Sequence, residues 1–381
     1  WRPKLHGVSG VDYMTNLFFY GTLRHMPLLE VVLGTPASDL DFADAILPDH
    51  AIIGAEGGLY PVILPQGGGQ ANGVLVRGLT DAQIDRLTFY EGGFDFDLRP
   101  MVLADGQGAL VYFADPALAT DGPWSLADWQ AAWGALSVTA AREVMGYYGK
   151  RDATEVARMF PMIRARATAQ INAAQSKHGA MTTHGTVDIQ SRDRVYAKFF
   201  ALDEIVLRHE RFSGGMSDPL LRAVFIATDA AIVLPYDPVR DRVMLVEQIR
   251  MGPLARGDRS VWQLEPIAGR IDAGETAEQA AYREAREEAD LTLTELLPVA
   301  EAYASPGNAT EFHYIYVGLA DLPDSATGVS GKEDENEDIR SHMLSFDALM
   351  QMVDDMQAAN TPLLVAALWL ARHRDRLRKS A

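Results

Sequence analysis

The sequence predicts an α+β chain of two domains, each built on its own sheet. Three observations carry this. The chain has 381 residues, 48% of them hydrophobic, enough for two cores at the usual ~100 to 200 residues per domain. Short apolar runs broken by Gly and Pro give way near Ser125 to helical spacing. Beyond residue 184 strand-type runs resume and are followed by long helical patterns.

Taken in order, residues 1–13 precede Met14 and read as a leader outside the fold, which places the first domain at 14–180 and the second at 181–381. From residue 17 to about 113 the apolar runs are short, with turns such as the GlyGlyGly at 67–69, the pattern of a compact strand-rich domain. Between 125 and about 174, Trp129, Trp133, Leu136, Ala140, Val144, Tyr147 and Tyr148 recur on one face, a helical segment that closes the domain and leads out of it. Residues 175–183 are polar, and strands return at 184–190 and 198–209. Runs 230–234 and 243–246 flank the Pro-containing turn TyrAspProValArgAsp at 236–241 and read as a β-hairpin. The apolar run 363–371 is about half the ~18 residues that span a bilayer, so it reads as a buried terminal helix.

Composition narrows the chemistry. With 52 acidic against 34 basic side chains the formal charge is −18, which repels a nucleic-acid backbone, and no basic groove offsets it. The absence of cysteine excludes disulfides, thiolate catalysis and Cys-ligated zinc. Carboxylates and nine histidines remain as metal ligands, and carboxylates favour hard cations such as Mg²⁺. No run is long enough for a membrane span, and residues 17–20 fall short of the ~7 to 15 apolar residues of a secretory signal, so a cytoplasmic location is expected.

The densest signal is GRIDAGETAEQAAYREAREEADL at 269–291. Thr276 followed by Gln279 is a capping-box start, and the Ala-rich run to Ala289 is strong helix former, so a loop here enters a helix. On that helix Glu284 and Glu288 are four apart and Glu287 is three beyond Glu284. Their carboxylates therefore crowd one side, at a few tenths of a kcal/mol for each like-charge pair. Arg283 offsets part of that charge, and a divalent cation is the natural partner of Glu284 and Glu288. Mg²⁺ suits them because it binds through one or two carboxylates and keeps sites for phosphate oxygens.

The pattern fits the Nudix box. Gly269, Glu275, Arg283, Glu284, Glu287 and Glu288 hold six of its seven fixed positions, and Ala285 and Leu291 fill the apolar slots. By chance this would arise roughly once in 10⁷ to 10⁸ placements. Asp290 stands where Gly is usual, at a helix end whose left-handed backbone tolerates Asp, so a small stability cost and intact chemistry are expected.

Around the box, VEQIR at 246–250, WQLEPIAGRIDAGE at 262–275, ASPGNATE at 304–311 and DENEDIR at 334–340 resemble segments of bacterial ADP-ribose pyrophosphatases. The resemblance implies an α/β/α sandwich with a mixed sheet, and hydrolysis of ADP-ribose to AMP and ribose 5-phosphate by water attack on the pyrophosphate. It implies that Glu284, Glu288, Glu337 and the Ala268 carbonyl hold Mg²⁺, with Mn²⁺ as a substitute. Glu335 is implied as the catalytic base on an acidic loop, and Glu287 stands with the catalytic carboxylates. Arg222, Arg250 and Arg270 match substrate contacts, Ser305, Pro306, Gly307 and Glu311 a loop for the terminal ribose, and Phe199 an aromatic that stacks on adenine. A homodimer is implied, its sites drawing partly on the other subunit. Another nucleoside-diphosphate sugar is the rival substrate.

In the first domain, LeuPhePheTyrGlyThrLeuArg at 17–24 and LeuThrPheTyrGluGlyGlyPhe at 87–94 resemble the γ-glutamyl cyclotransferase fold, which implies a β-barrel with helices. By that resemblance Tyr20, Gly21, Thr22 and Leu23 form the substrate loop, and Glu91 moves the proton, a task that needs burial to raise its pKa. The Tyr usual shortly after the Glu is Phe94 or Phe96 here, with Arg99 retained, so γ-glutamyl amine cyclotransferase and metabolite-binding readings stand side by side. The whole arrangement resembles bacterial fusions associated with tellurium resistance.

Overall fold

The computed structural model describes residues 15–55, 58–92, 96–175, 185–331 and 337–379. The leader expected at 1–13, Phe94 and Glu335 lie outside the described residues. The chain divides into two compact units, Trp1–Ala167 and Thr168–Ala381. The boundary expected near residue 180 also lies outside the described residues.

The first unit carries strands β1 (Thr15–Phe19), β2 (Asp41–Ala55), β3 (Pro61–Leu79), β4 (Asp97–Val102), β5 (Gly108–Phe113) and β6 (Ala119–Pro123), and helices α1 (Met26–Leu33), α2 (Asp81–Glu91), α3 (Leu126–Trp129), α4 (Ala135–Gly146) and the start of α5 (Ala153–Gln175). The strands form one sheet in the order β4-β5-β1-β3-β2-β6. Side chains alternate across a strand, so Leu17 and Phe19 face the helices with Val74 and Val76, meeting Leu28, Leu29, Val32, Leu87 and Trp129. Phe18, Leu47, Ile63, Leu75 and Val111 face the other way and enclose a core of their own. The sheet must curl to do this, and the barrel takes the form of a half-barrel flanked by helices. Thr80 and Gln83 form a reciprocal capping box at the start of α2, which carries Glu91 at its end.

The second unit opens with a three-stranded antiparallel sheet of β7 (Val187–Ala197), β8 (Ala201–His209) and β9 (Leu220–Ile226). A second sheet holds β10 (Ala230–Asp237), β11 (Arg242–Ile249), β12 (Trp262–Glu265), β13 (Ile267–Arg270), β14 (Glu295–Tyr303), β15 (Phe312–Leu319), β16 (Val329–Ser330) and β17 (Ile339–Ser345). It is mixed, because β10 runs parallel to β15 and antiparallel to β11 and β13. The predicted hairpin is the β10–β11 pair, with Tyr236 opposite Val243. Between β11 and β12 lies the short α6 (Met251–Arg256). Ala231, Val233, Met244 and Val246 face α7 (Ala277–Ala289), which meets them with Ala280, Ala281, Ala285 and Ala289. Ile232, Leu234, Val243 and Leu245 face α8 (Phe346–Asp354) and α9 (Thr361–Lys379), where Leu363, Ala366, Ala367 and Leu370 are buried. The result is the α/β/α sandwich. No helix among the described residues is long and apolar enough to cross a membrane.

Candidate active site

The box folds as a turn entering a helix. Thr276 accepts from the Gln279 amide while the Gln279 side chain accepts from the Thr276 amide. At the far end Asp290 adopts φ 50°, the left-handed conformation, and its N–H reaches the Ala285 and Arg286 carbonyls. Asp at that position thus closes the helix as the usual glycine would.

Arg283 gathers the acids. Its Nε and Nη2 fork onto Glu275 at 2.7 and 2.9 Å, while Nη1 donates to Glu284 at 2.5 Å and to Glu287 at 2.9 Å. Nη2 also donates to the Arg270 carbonyl at 3.0 Å, tying α7 to β13. Glu275 and then the other two acids hold the guanidinium above its usual pKa. Glu284 lies directly over Gly269, where a Cβ would fall 1.8 Å from its Oε1. Gly269→Ala should therefore displace Glu284 and cost about 10²-fold in hydrolysis, the scale of a 1 Å misplacement. Steady-state kinetics beside a thermal unfolding scan would separate that loss from unfolding.

Glu288, 3% exposed, accepts from the Ala268 amide at 3.1 Å and from Gln248 Nε2 at 3.4 Å. Burial pushes its carboxyl up to about 8, and the nearby Glu284 adds to the effect. A third acid, Glu265, is 4% exposed and raised by burial in the same way. It accepts from Arg250 Nε at 2.6 Å and from Asn360 Nδ2 at 3.1 Å. Gln248, Glu265 and Asn360 were not singled out from the sequence. The first two stand beside other polar residues, Glu247 and Gln263, near the ends of β11 and β12, and Asn360 meets Glu265 only through the tertiary fold.

Among the described residues no three His, Asp or Glu side chains converge in a ready metal geometry. The donor chemistry nonetheless fits a hard divalent cation. Glu284 and Glu288 are oxygen donors, and their mutual repulsion together with burial of Glu288 is what a cation relieves. Glu337 precedes β17, whose Ile339 packs in the same core as Ala281 and Ala285.

The remaining expected contacts fall in two groups. Phe199, 58% exposed in the β7–β8 turn, lies under Arg270, with the guanidinium carbon 5.8 Å from the ring centroid. Phe200 stands edge-on to Phe199 at 4.8 Å and meets Phe225 at 4.9 Å. Phe225 in turn exchanges backbone hydrogen bonds with Asn308 and Thr310, which joins the 305–311 loop to this aromatic row. Within the loop Ser305 Oγ donates to Asn308 at 2.7 Å, Pro306 and Gly307 are exposed, and Glu311 sits 3.6 Å from His313. Arg222 is exposed on β9 and donates to the Leu221 carbonyl.

In the first unit Tyr20, Gly21, Thr22, Leu23 and Glu91 line one cavity together with Tyr90, Phe96 and Tyr112. Burial lifts Glu91 to about 7 from 4.5. Its folded pKa is raised, so it contributes stability that is full below about 4.5 and is lost as pH climbs through about 7. The unfolding midpoint of this unit should drop as pH rises from about 4.5 to about 7 and level off above that, and Glu91→Gln should flatten the drop in thermal scans across that range. Phe96, one of the two residues expected at the tyrosine position, meets Tyr112 edge-on at 6.0 Å.

Comparison with known proteins matches the same two regions. The NUDIX domain profile matches residues 227–365, and the profile of gamma-glutamyl cyclotransferase, AIG2-like, matches residues 17–131. An ADP-ribose pyrophosphatase of Escherichia coli (strain K12) is 41% identical over 192 residues, 50% of this chain and 91% of that one. One from Haemophilus influenzae is 33% identical over 196 residues, 51% of this chain and 90% of that one. A GDP-mannose pyrophosphatase of Pectobacterium atrosepticum is 29% identical over 169 residues, 44% of this chain and 86% of that one. The box that Arg283 assembles on β13 and α7 lies wholly inside the NUDIX match, and the chain belongs to the Nudix hydrolase family, with an AIG2-like γ-glutamyl cyclotransferase domain ahead of its Nudix domain.

Proposed function

We propose that the second unit hydrolyses ADP-ribose to AMP and ribose 5-phosphate, using Mg²⁺ with Mn²⁺ as a substitute. The observation that carries this is the pair Glu284 and Glu288, one lying on Gly269 and the other held by the Ala268 amide. Glu284, Glu288, Glu337 and the Ala268 carbonyl would hold the cation, which when bound stabilises charge on the phosphates. Arg250 has its Nε fixed by Glu265, so its terminal donors are oriented for a phosphate oxygen. Arg270 over Phe199 offers a flat cationic edge for the adenine, and the 305–311 loop, beside Phe225, meets the terminal ribose. Arg222 adds a cation along β9. Glu335 takes the proton of the attacking water, with Glu287 holding Arg283 in place.

A homodimer accords with the exposed apolar side chains of this unit, among them Phe199, Phe212, Leu221, Met251 and Trp262, which a second subunit would cover. Light scattering on the eluted protein should give twice the chain mass. The test of the reaction is product analysis after incubation with Mg²⁺ and ADP-ribose, GDP-mannose or other nucleoside-diphosphate sugars. AMP and ribose 5-phosphate appearing fastest from ADP-ribose is the expected result. Preference for GDP-mannose, the substrate named in the Pectobacterium relative, would keep the pyrophosphatase and overturn the substrate.

A further inference from the structure

The first unit encloses a cavity of about 320 Å³, at the small end of the ~300 to 1,000 Å³ typical of ligand sites. Its lining combines two kinds of wall, the Tyr20–Leu23 turn with Glu91 and a helical end that holds Trp129, Trp133, Leu136, Phe160 and Arg164. Tyr90 is in electrostatic reach of both Glu91 and Arg164. The family match ends at residue 131, so most of this second end lies beyond it.

Arg164 is the cation of the helical end. Its guanidinium carbon lies 5.1 Å from the Trp133 ring centroid. Burial lowers its pKa, and the Tyr90 hydroxyl opposes that. The Tyr112 hydroxyl also lines the cavity, within electrostatic reach of Glu91, and is buried without a hydrogen-bond partner among the described residues. A buried hydroxyl left unsatisfied costs about 1 to 3 kcal/mol, which a ligand atom seated there would recover.

We propose that the helical end is a binding subsite for a small carboxylic acid with an aromatic or aliphatic body. Its carboxylate pairs with Arg164, its body lies among Trp129, Trp133 and Phe160, and the Tyr112 hydroxyl bonds to a polar group along it. The planar guanidinium fork matches a carboxylate in two parallel hydrogen bonds. That attraction strengthens where the surrounding rings displace part of the screening water. The rings contribute burial of the apolar body. A neutral ligand of the same shape keeps the second gain and loses the first.

The full chain would be titrated by calorimetry with 3-phenylpropionate and with its neutral amide. Saturable binding of the acid, at least tenfold tighter than the amide, is expected. Arg164→Gln should weaken the acid tenfold or more and erase the preference, while Arg164→Lys keeps part of it. Ser137 also lines the cavity, and Ser137→Leu should weaken both probes without touching the charge, which keeps the test open if an Arg164 variant unfolds. Thermal scans identify folded variants. Equal affinity for acid and amide, undiminished binding in folded Arg164→Gln, or no saturable binding of either probe would overturn the subsite.

Discussion

Glu284→Gln and Glu288→Gln are each expected to lower kcat for ADP-ribose by about 10³-fold, equivalent to about 4 kcal/mol. Glu288→Gln should leave the thermal midpoint of the metal-free protein unlowered, whereas Glu284→Gln also gives up an ion pair with Arg283. The two effects part because each side chain is set against its own surroundings. Glu288 is buried beside another carboxylate and is raised for that reason, so an amide of the same shape removes a penalty. In Glu288→Gln the new side-chain carbonyl would still accept from the Ala268 amide, and Gln248 needs only to turn its own amide to face the new NH₂ group. What is lost is the anionic donor. A variant that is inactive because it is unfolded would lose its midpoint as well, and a variant retaining more than about a tenth of kcat would remove that carboxylate from the proposed ligand set.

Arg283→Ala should be the most damaging single change to the second unit, lowering its stability by about 2 to 3 kcal/mol and its activity with it. Removing one partner of a paired set leaves the others uncompensated, and here Glu275, Glu284 and Glu287 all lose the same cation. The Arg283 side chain is 24% exposed, so water softens the loss below the full buried-pair figure. Arg283→Lys should recover only part of it, because an ammonium cannot fork onto Glu275 while also reaching Glu284 and Glu287. Denaturant midpoints of the three proteins measure this, and a lysine variant as stable as wild type would show that charge alone, without the fork, holds the turn.

Local signals in the sequence were enough for the helix of the box. Thr276, Gln279 and Asp290 each act on backbone within a few residues, so cap, helix and stop were readable in order, as was the hairpin at 236–241. The crowding of Glu284, Glu287 and Glu288 followed from helical spacing alone. Contacts between distant segments were a different matter. Glu265 meets Asn360 across 95 positions, and nothing in either neighbourhood announces the other. Phe199 and Arg270 were expected as separate contacts, and only the fold puts the guanidinium over the ring within one chain. In the first unit the Tyr20 turn and Glu91 were legible as a pair, but the Arg164 end of their cavity depends on helices whose apolar face reads simply as core.

The alanines of α7 set a clearance. Ala280, Ala281, Ala285 and Ala289 are the fully buried apolar residues of that helix, with Ala277 and Tyr282 partly buried beside them, so the four act as shims that fix how far Glu284 and Glu288 stand from β13. Thicker side chains would lift the carboxylates away from Gly269 and the Ala268 amide while adding apolar contact beneath them. At these four positions, then, the residue that best fills space and the residue that best serves the chemistry are different, and the tolerance of the site is decided underneath it, by atoms that never meet a substrate.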